Sequence, residues 1–194
     1  LGQKTIGLMQ HVSQADSVRA NNYSNMNTSI EAMSSDISQH YFGGTQGVVE
    51  MSVVNLDTGE TFGTQQQTKV QMKSNLNIVQ VYVLISLLEQ QGHTGAELLS
   101  FTPEGIGGLT VQQIIDTLLT EHQDLEGKIA AKLRIYLSDP SREEAVTASL
   151  SKTGLLNTDL KTSTSTVSDI STFWAFVNTN GFPDDAASKA IVRA

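Results

Sequence analysis

Four histidines, His11, His40, His93 and His122, are the side chains best suited to proton transfer or metal binding near neutral pH. None of them stands a helical turn from another, so no short His-x-x-x-His metal motif is present. Cysteine is absent, which excludes thiolate metal centres and disulfide frameworks. The run Gly105-Ile106-Gly107-Gly108 is rich in glycine but follows no strong strand. It reads as a loop before a capped helix, not as a phosphate cradle. Glu143 and Glu144 read as ordinary first-turn helix residues facing the positive end of the dipole. Phe173, Trp174 and Phe176 fall on one amphipathic helix and are expected in the core. No metal and no organic cofactor is expected from these patterns.

Composition narrows the setting of this chemistry. The chain has 194 residues and a net charge of −8. That acidity argues against nucleic-acid binding, which needs a basic surface to neutralise phosphates. Only 16% of residues are charged, and Ser, Thr, Asn and Gln make up about a third of the chain. With cysteine absent, this profile leans toward an extracytoplasmic protein, secreted or associated with the cell envelope. The chain starts at Leu1 without a visible signal segment, so the expectation is that a targeting segment was removed or the chain trimmed. The longest apolar run, Ile78 to Leu88, is interrupted by Gln80 and Tyr82 and is too short to cross a bilayer. No transmembrane segment is expected.

The elements that must position any site follow from periodicity. Residues 1–27 are polar and read as an N-terminal extension, with a short helix over Thr5 to Val12 open as a possibility. Ile30, Met33, Ile37 and Tyr41 share one helical face, with Thr28 or Ser29 as N-cap and Gly43-Gly44 as stop. Val48 to Asn55 alternates, Asp57-Thr58-Gly59 turns, and Glu60 to Gly63 returns, giving a β-hairpin over 48–63. A polar stretch, Thr64 to Gln71, leads to a long helix from Ser74 to Gln91, ended by Gly92. Thr110 and Gln113 form a capping box for Val111 to Thr120. Helices follow over Ile129 to Leu137 and Arg142 to Leu150, the second capped by Ser141 and ended by Gly154. Val167 to Asn178 is the last clear helix, and Asp184 or Asp185 opens a final one running to Ala194. The fold class is α+β: an N-terminal helix and hairpin joined to a helical region over 74–194. Two strands alone make a marginal sheet, so strands from chain beyond Ala194 or from a second subunit, as in a homo-oligomer, are expected to complete it.

Residues 28–194 resemble the penicillin-recognising serine hydrolases, in particular the class A β-lactamase branch. Ser38 to Gly63 is similar to that family's first helix and first two strands. Val70 to Gln90 is similar to the start of its central helix, where the nucleophilic serine stands. Thr110-Val111 opens a stretch similar to the family's Thr-Val-x-x-Leu helix, and Gly154-Leu155-Leu156-Asn157-Thr158 resembles its Gly-Leu-x-x-Thr segment. The resemblance implies a β-lactamase or transpeptidase-like fold and a peptidoglycan or β-lactam-like ligand.

The same resemblance implies a site at Ser74, Asn77, His122 and Asp124. The family's first motif is Ser-x-x-Lys, whose amine relays the serine proton from one turn along. Here it reads Ser74-Asn75-Leu76-Asn77, and a carboxamide has no basic nitrogen. Lys73, the neighbour of Ser74, does not share its helical face. Two readings of Ser74 stand: the nucleophile position, or simply a helix N-cap. The Ser-Asp-Asn motif falls on His122-Gln123-Asp124. His122 there is either a substitute base or a surface loop residue, and Asp124 would repel an anionic ligand. Ser149-Leu150-Ser151-Lys152 and Lys152-Thr153-Gly154 match motif patterns but overlap at a helix end, where Gly154 reads as a C-cap. The third-motif strand would lie beyond Ala194. The family's deacylating glutamate has no counterpart in Asn157 to Ser165. The expectation is a catalytically impaired or inactive member that binds or scaffolds at the cell envelope. The alternatives are an active serine hydrolase acylated at Ser74 and an unrelated helical interaction domain.

Overall fold

The computed structural model describes residues 22, 24–40, 50–64, 66–120 and 127–193. The short helix expected over Thr5 to Val12 and the stop at Gly43-Gly44 lie outside the described residues. The chain divides into two compact units, one ending at Gln67 and one running from Thr68.

In the first unit, helix α1 covers 24–40. Neither Thr28 nor Ser29 caps it. Their hydroxyls donate to the carbonyls of Ser24 and Asn25, each at 2.9 Å, which places both residues inside the helix. Ile30 is buried, whereas Met33, expected on the same buried face, is 53% exposed. Strands β1 (Met51–Val54) and β2 (Thr61–Thr64) form the expected antiparallel hairpin, with Val54 opposite Thr61. Asn55 shapes the turn, its Oδ1 accepting from the backbone of Asp57 and Thr58. Gly63 is required by close approach, since a Cβ there would clash with the Met51 carbonyl oxygen.

The second unit is mixed, mostly helical, and carries a second small sheet that the periodicity does not announce. Strand β3 (Val70–Gln71) pairs antiparallel with β4 (Thr164–Ser165), so a polar stretch and the Ser/Thr-rich segment meet. A one-turn 3-10 helix, Lys73–Leu76, leads into α2 (Asn77–Gln90). Residues 79–88 of α2 are all buried, as expected of a helix enclosed on every side. Around it stand α3 (Gly95–Ser100), α4 (Val111–Ile115), α5 (Lys128–Leu137), α6 (Glu143–Lys152), α7 (Val167–Asn180) and α8 (Asp185–Arg193).

Caps decide several boundaries. Thr110 and Gln113 make the expected capping box, at 3.3 and 2.9 Å. The helix it opens does not stay regular to Thr120. It widens into a π-helical segment over Asp116–Thr120. Asp139, not Ser141, caps the turn before α6, and Ser141 donates to it from both backbone and hydroxyl. α6 closes as a Schellman motif: Leu155 N–H donates to the Leu150 carbonyl and Gly154 N–H to that of Ser151. Gly154 has φ +77°, and a Cβ on it would stand 2.7 Å from the Thr172 methyl.

Core packing centres on Tyr82 of α2. Its ring meets Phe173 edge-on at 5.5 Å and Phe176 at 6.1 Å. Trp174 departs from the expected core role, being 51% exposed on the outer side of α7. Where α2 and α6 pack together, Ser86 and Ser149 hydroxyls meet at 3.1 Å in a buried polar contact.

Asp184 ties α8 to α3. It accepts from Ala186 and Ala187 at the start of α8 and from Gly95 N–H at 2.7 Å. Burial alone would raise its carboxyl, but the N–H groups of Gly95, Ala187 and Ala186 outweigh it and hold the group below the ordinary carboxylate range. A lowered folded-state value adds stability that is complete above the unfolded value of about 4 and is lost as pH falls through the folded value. Urea unfolding should therefore separate wild type from Asp184→Asn at neutral pH, with the gap closing as pH falls below the ordinary carboxylate range. A gap that stays constant with pH would refute this role.

Candidate functional site

The 3-10 turn, the start of α2, the first turns of α5 and the β3–β4 edge bring Ser74 and Asn77 to one cleft. The cleft holds about 270 Å³ and is lined by polar side chains of Gln71, Ser74, Asn77, Gln80, Arg134 and Ser163. Gly127, Ala130 and Ala131 complete it from α5. A second cleft of about 340 Å³, beside Glu143, Leu160 and Lys161, contains none of these residues.

Ser74 and Asn77 line the same cleft, as a spacing of one helical turn dictates. Ser74 is not a helix cap: neither the 3-10 turn nor α2 has a side-chain cap hydrogen bond. Its hydroxyl makes no hydrogen bond to a described residue, and the residue is exposed. Asn77 donates from Nδ2 to the Leu118 carbonyl at 3.4 Å, reaching the π-helical segment. His122 and Asp124 lie outside the described residues. The decoy motifs separate cleanly. Ser149 is buried against Ser86, whereas Lys152 is exposed, so they cannot act together.

Four polar residues of the cleft, Gln71, Gln80, Arg134 and Ser163, were not among the expected site residues. Gln80 stands two turns beyond Ser74, is 2% exposed, and its Oε1 has no hydrogen-bond partner. In the sequence it shows only as a polar break in an apolar run. Arg134, half-buried on α5, donates from Nη1 to Ser163 Oγ at 3.1 Å. Ser163 adopts φ +55°, the left-handed region that a non-glycine residue enters at a cost of about 1–2 kcal/mol. Its carbonyl accepts from Met72 N–H at 3.0 Å, and Gln71 Nε2 donates to the adjacent Thr162 carbonyl at 3.1 Å. Nothing in the sequence marks Arg134 or Ser163, because their meeting depends on the β3–β4 pairing.

Behind this wall a buried carboxylate holds the loop. Asp169 accepts from Asn157 N–H at 2.7 Å and from the Thr158 hydroxyl at 2.9 Å. Asn157 Nδ2 and the Thr166 hydroxyl also donate to it, while Thr166 caps α7 at the Asp169 N–H. The loop from Asn157 to Thr166 is thereby closed on itself, with Ser163 on its cleft side.

Chemically, the lining supplies hydroxyls, carboxamides and one guanidinium. None of these accepts a proton at neutral pH: amides are not basic, and arginine stays protonated. No grouping of His, Asp and Glu suited to a metal occurs among the described residues. No family model and no curated protein matches this chain.

Proposed function

We propose that this chain is a β-lactamase-like or penicillin-binding-protein-like domain that binds its ligand without efficient acylation, in a binding or scaffolding role at the cell envelope. One observation carries the reading: Ser74 and Asn77 share a polar cleft whose described lining has no proton acceptor for the serine. Loss of a general base alone costs about 10²–10⁴-fold in rate. A lost electrostatic donor costs about 10²–10³-fold more. A peptidoglycan peptide or a β-lactam is the ligand class that the family resemblance supports. The low charge and the absence of cysteine support the extracytoplasmic setting.

A chromogenic β-lactam read alongside equilibrium dialysis tests the proposal. The expected result is reversible retention of the compound with no turnover above background. Turnover that disappears in Ser74→Ala would establish the hydrolase reading in its place. Neither retention nor turnover would remove the family's ligands from consideration.

A further inference from the structure

The second cleft, of about 340 Å³, lies where α5 ends, α6 begins and the segment Thr158 to Lys161 passes beside them. Its volume falls within the usual range for small-molecule sites, about 300–1,000 Å³. Leu137 and Ser138 bring the C-terminal end of α5 to it, whereas Gly127, Ala130 and Ala131 bring the opposite end to the Ser74 cleft. The floor is aliphatic. Leu137, Val146 and Leu160 are buried there, and Leu150 is half-buried beside the exposed Pro140.

Hydrogen-bond acceptors gather at one side of that floor. Were α5 to run on, the Leu137 carbonyl would accept from residue 140 or 141. Pro140 has no N–H, and the Ser141 N–H is taken by Asp139 Oδ1. Ser138 is left in the same position, because the Arg142 N–H donates to the Asp139 carbonyl. At the cleft α5 therefore ends in two carbonyls that no local N–H closes. Glu143 lines the cleft from the first turn of α6, and its carboxylate has no hydrogen bond or ion pair among the described residues. The Arg142 guanidinium is engaged elsewhere: it lies over the Tyr136 ring at 3.9 Å, donates to the Tyr136 carbonyl and pairs with Asp139. Lys161 belongs to the loop wall, where the Asp159 carboxylate accepts from the N–H groups of Lys161 and Thr162 and from the Thr162 hydroxyl.

We infer that this cleft binds a small aliphatic primary amine as its ammonium ion, the alkyl chain on Val146, Leu150 and Leu160 and the head between Glu143 and the end of α5. The three N–H donors of an ammonium match a carboxylate and two carbonyls. A cation is also favoured at the negative end of a helix, where an anionic head would meet like charge from Glu143. The binding is reversible, and it is independent of the Ser74 cleft.

The test titrates the full chain with hexylamine and follows the methyl NMR signals of Val146 and Leu160, which are expected to shift saturably. Hexanol keeps the chain without the charge and should bind about tenfold more weakly. Hexyltrimethylammonium keeps the charge without the N–H donors and should also bind more weakly than hexylamine. Butylamine should lose about threefold for each methylene removed from the floor. Glu143→Gln should abolish the preference for hexylamine over hexanol. Glu144→Gln, one residue on and outside the cleft lining, should leave it unchanged. A lysine side chain presented as N-acetyl-lysine methylamide should bind more weakly than hexylamine, and tighter binding would assign the cleft to a protein partner instead. The inference is equally overturned by the absence of a saturable shift, by tighter binding of hexanoate, by equal affinity for hexylamine and hexanol, or by a preference that survives in Glu143→Gln.

Discussion

Phe173→Ala is expected to destabilise the protein by about 3–5 kcal/mol, measured as a lowered urea midpoint at unchanged slope. Phe173 is fully buried, and its ring sits edge-on to Tyr82 at 5.5 Å. Truncation removes the transfer free energy of the ring and leaves a cavity against α2, the most enclosed helix of the unit. Tyr82 also loses an edge-to-face partner worth about 1 kcal/mol beyond area burial. Trp174→Ala gives the internal comparison. Trp174 is half-exposed, so its loss should cost well under half as much. Equal costs for the two would mean that α7 turns a different face to the core.

Asp169→Ala should cost about 3 kcal/mol and also disable the cleft. The carboxylate serves four donors, from Asn157 N–H, Asn157 Nδ2, Thr158 Oγ1 and Thr166 Oγ1. Alanine leaves these donors without their acceptor. Asp169→Asn retains an oxygen but turns an N–H₂ toward donors, so an intermediate loss is expected. Because the same loop carries Ser163, the Arg134 to Ser163 contact should loosen with it, visible as a shift of the Arg134 Nε–H signal. A variant as stable as wild type, with that signal unmoved, would show that the loop does not depend on Asp169.

The parts of the fold legible in the sequence are those governed by local rules. Alternation around Asp57-Thr58-Gly59 locates the hairpin, because a turn flanked by alternating residues has few other solutions. The Thr110–Gln113 box and the Gly154 stop are likewise local, and both appear where the residues imply. Ser141 misleads because Asp139, two residues earlier, is the cap, and it takes both the backbone N–H and the hydroxyl of Ser141. β3 and β4 are two residues each, too short to show alternation, and they exist only because distant segments pair. α3 is missed for a related reason: at six residues it has little periodicity of its own and rests on Asp184 across the fold.

The site divides along the same line. Ser74 and Asn77 belong to one helical turn, so their common cleft follows from spacing. Arg134, Ser163 and Gln80 converge from three elements. Their sequence neighbours carry no sign of it, except that a glutamine inside an apolar run is an unusual thing to bury.

We propose that Ser74 lines a binding cleft whose described residues include no base. Intact-mass measurement after incubation with a fluorescent penicillin addresses it most directly. Wild type should keep its unmodified mass over hours, and an adduct should appear when Asn77→Lys restores an amine one turn from Ser74. Stoichiometric labelling of the wild-type protein within minutes, lost in Ser74→Ala, would contradict it.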